Sequence, residues 1–364
     1  MNFIDIFDNW DNFKTKPSLS GITAPTDVQA AAMPLVLGGR DVMIQSPTGT
    51  GKTLTYLLPI FANIKPDVKA AQAVIIAPTY ELASQIAQVA RGLFERSEDI
   101  ALLIGGAAKQ RQLAAIKAKP RIIVGTLGRI GEFVTDKKIS MHHVRTLVFD
   151  EADRLFVPEN TLDISLLIKS TLRDRQIVLV SATLPKKTQD AAAPLMKEPE
   201  TIALGGKIPQ NIKHYYIICD GRKKDERLRA LLINEKIKKA LVFVNMPYAI
   251  EKTTDRLNHH GIASKALHVT HDKTARKAAM QSLRSGKTVA VVSSDAGSRG
   301  LDIEGLTHVI NLDMPAREKD YLHRAGRCGR AGASGIVISI ITQGEAETLK
   351  KMAAKLKIDI TAIK

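Results

Sequence analysis

Short apolar, β-branched runs, each followed by a stretch of helical composition, set the strongest limit on what this chain can fold into. In the first half they are DVMIQ from Asp41, AVIIAP from Ala73, RIIVGT from Arg121, TLVFDEAD from Thr146 and QIVLVSAT from Gln176. Strands that are apolar throughout, instead of alternating, are buried on both faces, and the intervening helices supply the cover. The first half is therefore expected to be α/β with a mainly parallel sheet. The rhythm restarts with HYYIICD from His214, ALVFVN from Ala240, SKALHV from Ser264, TVAVVSSD from Thr288, HVINLD from His308 and GIVISIIT from Gly335. Between the halves, GGKIPQN combines a Gly pair with a Pro and disfavours both helix and strand. This places a linker at 205–211, between a first domain at 1–204 and a second at 212–364. A chain of 364 residues suits two cores better than one.

Composition narrows the class. Hydrophobic residues at 45% and charged residues at 25% describe a soluble globular protein, and no apolar run approaches the roughly 18 residues a bilayer span needs. The first residues, MNFIDIFDNWDNF, are aromatic and acidic where a secretory signal is basic and then apolar, so a cytoplasmic location is expected. Cys219 and Cys328 lack metal-binding spacing and are expected to be free thiols. The adjacent pairs His142–His143 and His259–His260 read as surface histidines. A net charge of +16 favours a polyanionic partner, although the same charge would serve solubility alone.

The motifs decide between these. Strand DVMIQ runs into SPTGTGKT at 46–53 and then into the helical LTYLLPIFANI. A Gly-rich turn between strand and helix lets backbone N–H groups wrap phosphates at the positive helix end. The wrapping segment is Thr48, Gly49, Thr50 and Gly51; Lys52 would reach the β and γ phosphates, and Thr53 would place its hydroxyl on Mg²⁺. Ser46 stands at the first Gly position of the general pattern. A second GKT at 286–288 precedes a strand, cannot form the same cradle, and is read as a decoy. In LVFDEAD, Asp150 and Glu151 end a strand, where α/β sheets present chemistry: Asp150 for the metal, Glu151 as the general base that polarises water. A solvated acidic turn is the plain alternative. Loop and carboxylates together indicate an ATPase using ATP and Mg²⁺.

DEAD at 150–153, downstream of that loop and upstream of SAT at 181–183, resembles the DEAD-box ATP-dependent RNA helicases of superfamily two, and the resemblance runs along nearly the whole chain. It implies two RecA-like domains, each a mainly parallel sheet flanked by helices. It also implies RNA-stimulated ATP hydrolysis coupled to local separation of RNA duplexes. GITAPTDVQ at 21–29 is similar to the adenine-sensing Q motif, which assigns Thr26 and Gln29 to the nucleotide. The family's adenine-stacking aromatic aligns with Ile4, and nearby Phe3 is taken for that role. Pro78, Thr79, Gly105, Gly106, Thr126, Gly128 and Arg129 are implied contacts to the RNA sugar–phosphate backbone, which hold the polymer without reading its bases. Asp153, Ser181 and Thr183 are implied in coupling the domains.

In the second half, the resemblance assigns Arg276 and Ser294 to RNA, Asp302 to the ATP ribose and Arg299 to interdomain coupling. In YLHRAGRCGRAG at 321–332, Arg327 and Arg330 resemble arginine fingers for the γ-phosphate, with His323 beside them in catalysis and Arg324 coupling the domains. Tyr80, Leu127 and Val269 depart from the family's usual Arg, Pro and Gly, and Cys328 stands where Thr is common. Tyr80 could stack on a base or pack. These departures keep an ATP-gated RNA clamp or chaperone open as a second reading. A DNA-directed relative is a third, disfavoured by the pairing of DEAD with the Q motif. Aromatics at 4% favour backbone gripping over a stacking platform. The expected partner is single-stranded or locally opened RNA held with little sequence specificity, and a monomer is expected.

Overall fold

The computed structural model describes the chain except residues 1, 8–9, 17–18, 20–21, 48, 95, 204–210, 269–272, 299–302, 304, 330–332 and 364, and the side chains of 11–12, 273–274 and 277. It divides into two compact units, one taking in Met1–Ser46 and Thr50–Gly205, the other Gly206–Lys364. Of the expected linker, only Asn211 is described.

The first unit is built on β1 (Val42–Gln45), β2 (Ala73–Ala77), β3 (Ile100–Leu103), β4 (Ile122–Thr126), β5 (Thr146–Asp150), β6 (Gln176–Ser181) and β7 (Glu200–Ala203). All pairings are parallel, in the order β3-β4-β2-β5-β6-β1-β7. The unbroken apolar run of β2 is explained by burial on both faces. Ala73, Ile75 and Ala77 pack with Val124, Val148 and Val178 on one side, and Val74 and Ile76 pack with Ile123, Leu147 and Phe149 on the other.

The N-terminal segment closes the first of these faces with an aromatic ladder. Phe3 and Trp10 stack with ring centroids 4.1 Å apart, and Phe7 and Phe13 flank them. Phe13 then meets Phe61 edge-on at 5.2 Å, and Phe61 meets Phe94 at 4.8 Å. Five of the chain's nine Phe and its one Trp are therefore committed to one core. Such residues cannot also form a base-stacking surface.

The second unit repeats the plan with β8 (Ile212–Ile218), β9 (Ala240–Phe243), β10 (Ser264–Leu267), β11 (Ala290–Ser293), β12 (His308–Asn311), β13 (Gly335–Ile341) and β14 (Ile360–Ala362). Its order, β10-β11-β9-β12-β13-β8-β14, is that of the first sheet with each strand replaced by its counterpart. All its pairings are parallel too. The second GKT lies between helix Lys273–Arg284 and β11, where Thr288 bonds Ser282 side chain to side chain at 2.5 Å. This is a helix-to-strand turn, the reverse of a phosphate loop. Among the described residues no helix is long and apolar enough to cross a membrane.

Candidate active site

Between β1 and helix Lys52–Asn63 the backbone turns through two left-handed glycines, Gly49 at φ 86° and Gly51 at φ 85°. Gly51 is required on two counts, because a Cβ there would also lie 2.5 Å from Gln29 Nε2. No side chain caps the start of this helix, so its first-turn N–H groups are offered to whatever anion the loop encloses. Lys52 Nζ donates to the Ser46 carbonyl at 2.7 Å, folded back over the loop. The loop is braced from outside. Thr26 Oγ1 donates to the Thr50 carbonyl at 2.8 Å, and Gln29 Nε2 donates to that of Gly51 at 3.2 Å. Gln29 Oε1 accepts from Thr26 N at 2.9 Å, completing a capping box on helix Asp27–Leu37.

Sheet order sets DEAD and SAT beside the loop. β6 lies between β1 and β5, so Ser46 N can donate to the Ser181 carbonyl at 3.0 Å, and Asp150 sits in register with Val180. Asp150 is 4% exposed. Its Oδ2 accepts from the Tyr56 hydroxyl and its Oδ1 from the Glu151 amide, each at 2.8 Å. Burial pushes this carboxyl up to about 6; the Tyr56 hydrogen bond opposes the rise, the Glu151 charge adds to it and Lys52 opposes it. Glu151 takes left-handed backbone angles, φ 50° and ψ 50°, unusual for a residue with a Cβ and common where function holds the chain under strain. Its Oε2 pairs with Arg154 Nη1 at 2.8 Å. Asp153 accepts from Ser181 Oγ at 2.6 Å and Thr183 Oγ1 at 3.1 Å, joining DEAD to SAT within the first unit.

The other half of the same sheet edge is more open. Pro78 and Thr79 follow β2, Gly105 and Gly106 follow β3, and Thr126 ends β4. A Cβ on Gly105, Gly106 or Gly128 would meet nothing within 4 Å. Thr79 Oγ1 caps helix Tyr80–Arg91, accepting from Leu82 N at 3.3 Å. Arg129 lies 3.3 Å from Glu132 and rests over the Phe133 ring. Tyr80 packs against the apolar core, and Leu127 is 6% exposed within the opposite cluster, so both departures serve packing.

In the second unit, helix Glu318–Ala325 carries His323, half-buried, and Arg324, 1% exposed. Arg324 uses all five of its donors. Nε and Nη2 grip Asp295 at 2.7 Å each, Nη1 donates to Asn311 Oδ1 and the Asp313 carbonyl, and Nη2 also donates to Asn245 Oδ1. The guanidinium lies 4.8 Å from the Phe243 ring centroid. Arg327 follows in the next turn at 8% exposure. Ser294 Oγ accepts from Gly297 N at 3.2 Å.

Residues 26–191 match the DEAD/DEAH box helicase family, and residues 223–332 match the helicase conserved C-terminal domain. A Bacillus cereus protein named DEAD-box ATP-dependent RNA helicase CshC is 41% identical over 344 residues, covering 94% of this chain and 88% of that protein. The chain belongs to the DEAD-box ATP-dependent RNA helicases. The probable ATP-dependent RNA helicase YfmL of Bacillus subtilis is 42% identical over 98% of this DEAD-box chain and 93% of its own length. A DEAD box protein from the hyperthermophile Methanococcus jannaschii is 30% identical with a TM-score of 0.61, covering 100% of this chain and 99% of that one. S. cerevisiae Dbp5 bound to RNA and ADP BeF3 shares the fold, with a TM-score of 0.85 at 24% identity over 97% of this chain and 95% of that one. The sequence expectation of two RecA-like domains with parallel sheets is therefore met.

Three side chains of this DEAD-box chain sit otherwise than their motifs suggested. Phe3 is 1% exposed under Trp10 and has no free face for adenine; Ile4 beside it is 69% exposed. Arg324 couples segments of the second unit to one another, since its whole donor set is consumed there. Arg276 is 8% exposed and donates to the carbonyls of His268 at 3.2 Å and Gly297 at 3.0 Å, so it shapes two loops where an RNA contact was expected. Thr48, Arg299, Asp302 and Arg330 lie outside the described residues, as does Val269. Sequence reasoning passed over Tyr56, Arg154 and the acceptors Asn245, Asp295 and Asn311. For Tyr56 a signal existed: it falls one turn after Thr53 on the same helix face.

Proposed function

We propose that this chain hydrolyses ATP with Mg²⁺ under the control of bound RNA, and uses the cycle to separate or remodel short RNA duplexes. The observation that carries the reading is the division of one sheet edge in the first unit. Phosphate loop, SAT and DEAD stand over β1, β6 and β5, and an open ledge of glycines and small polar residues continues over β2, β4 and β3. In α/β sheets this carboxyl edge is where ligands bind.

Among the described residues no cluster of three His, Cys, Asp or Glu could hold a metal. That fits Mg²⁺, which takes one or two protein oxygens and otherwise waters and substrate phosphates. Asp150 and Thr53 would hold it, and when bound it would neutralise charge on the phosphates. Lys52 exchanges the Ser46 carbonyl for phosphate oxygens, and the first-turn amides of helix Lys52–Asn63 orient them. Glu151, held at its strained backbone position, leaves Arg154 and takes the proton of the attacking water. Thr26 and Gln29 keep the loop in register. Arg327, Arg330 and His323 enter by the resemblance of their segment to the family's, as groups that stabilise charge at the γ-phosphate. The free thiols Cys219 and Cys328 suit a reducing, cytoplasmic compartment.

The test is ATP turnover with and without RNA across a salt series, run beside a strand-displacement assay. RNA-dependent turnover with displacement is expected. Equal turnover in both conditions would remove RNA control, and turnover without displacement would favour an ATP-gated clamp. Stimulation by DNA in place of RNA would identify the wrong polymer.

A further inference from the structure

The helix after the phosphate loop carries a polar group that the motifs leave unused. Tyr56 lies one turn beyond Thr53 in helix Lys52–Asn63 and is 0% exposed. A buried phenol needs an acceptor, and this one donates to Asp150 Oδ2 at 2.8 Å across 94 residues of sequence. Thr53 precedes the same phenol by one turn, on the same face of the helix. Asp150 Oδ1 is held separately by the Glu151 amide at 2.8 Å. Each carboxylate oxygen thus has one donor and keeps further lone-pair directions for a ligand. Tyr56 thus bonds directly to one of the two groups that the proposed function gives to the cation and lies one helical turn from the other.

We infer that Tyr56 is a positioning residue for the divalent cation, its hydroxyl setting the rotamer of the Asp150 carboxylate, with Thr53 alongside, before nucleotide arrives. The inference rests on Asp150 and Thr53 being the cation's protein ligands. An unanchored aspartate in this site would have to surrender two side-chain torsions on binding. Removing a partner that orients a metal ligand typically weakens metal affinity about 10–100-fold. Phenylalanine offers a clean comparison, since it keeps the ring and the packing and deletes only the donor.

The experiment uses the full chain with Tyr56→Phe, saturated with ADP and titrated with Mn²⁺ as a paramagnetic substitute for Mg²⁺. Bound and free Mn²⁺ are distinguished by electron paramagnetic resonance. Mn²⁺ affinity is expected to fall about 10-fold, while ADP affinity in EDTA stays within about twofold. In an Asp150→Asn background the same substitution is expected to change Mn²⁺ affinity no further, because the carboxylate it orients is gone. A lower melting temperature with unchanged Mn²⁺ affinity would make the hydroxyl purely structural and overturn the inference. Failure of the wild-type chain to bind Mn²⁺ with ADP would instead sink the nucleotide-site reading itself. Should the Phe variant not fold, 3-fluorotyrosine at position 56 keeps the packing and strengthens the donor. Mn²⁺ affinity then shifts if the hydroxyl acts on Asp150, and an unmoved affinity overturns the proposal.

Discussion

Glu151 and Arg324 show how differently two motif residues can be used. Glu151 stands at a left-handed backbone position with its carboxylate on Arg154, held ready beside a buried Asp150. Glu151→Gln keeps the shape and the loop, so nucleotide binding is expected to persist while turnover falls by about 10²–10⁴. Binding and single-turnover hydrolysis measured on the same preparation check this, and wild-type turnover would take the base role from Glu151. Arg324 works by filling every donor. A lysine there has three donors in place of five and no planar fork, so Arg324→Lys is expected to destabilise the second unit by about 2–4 kcal/mol. Denaturant unfolding reads that loss. Unchanged stability with lost RNA stimulation would return Arg324 to a role between domains.

At the scale of elements, the site depends on how closely β3 and β4 approach. Gly125 in β4 has no room for a side chain, since a Cβ there would stand 2.1 Å from the Leu103 carbonyl and 3.1 Å from Ile130. Gly125→Ala must push β3 or helix Leu127–Thr135 aside, and both lead to proposed RNA contacts. A destabilisation of about 2–3 kcal/mol is expected, with a loss of RNA affinity larger than the loss of ADP affinity. Equal losses of both ligands would mean that the two halves of the sheet edge do not act separately. The strand-to-helix and helix-to-strand settings of the two GKT sequences make a related point. The same three residues have different uses because their elements run in opposite order.

For the whole molecule, two buried titrating groups make the units respond to acid in opposite directions. In the first unit, Asp150 is raised from 3.8 to about 6 by burial, so the folded state binds its proton first. Its contribution is full below about 4 and is lost as pH rises through 6. In the second unit, His214 is lowered from 6.5 to about 4 by burial, where its Nδ1 meets the Tyr321 hydroxyl at 2.9 Å. Its contribution is full above 6.5 and is lost as pH falls towards 4. Acidification over this window should therefore favour the first unit and disfavour the second, each by on the order of 3 kcal/mol. Calorimetry of wild type, Asp150→Asn and His214→Gln across that window isolates the two slopes. Parallel pH dependence in wild type and a variant would remove that group from the account.

Much of this was legible along the chain. Unbroken apolar runs separated by helices require sheets covered on both faces, so two α/β units followed from the sequence. The phosphate loop, DEAD and SAT were readable because each chemistry needs neighbouring residues in a fixed local turn. What the sequence could not decide was the direction of a side chain whose partners lie far along the chain. Phe3 went beneath Trp10 because an N-terminal aromatic ladder covers the first core. Arg324 and Arg276 turned inward because carbonyls and carboxylates from separate strand ends converge on them. Tyr56 met Asp150 only because β6 lies between β1 and β5, setting the start of one helix beside the end of a strand 94 residues away. Local chemistry is written in adjacent residues, whereas the packing that orients it depends on strand order.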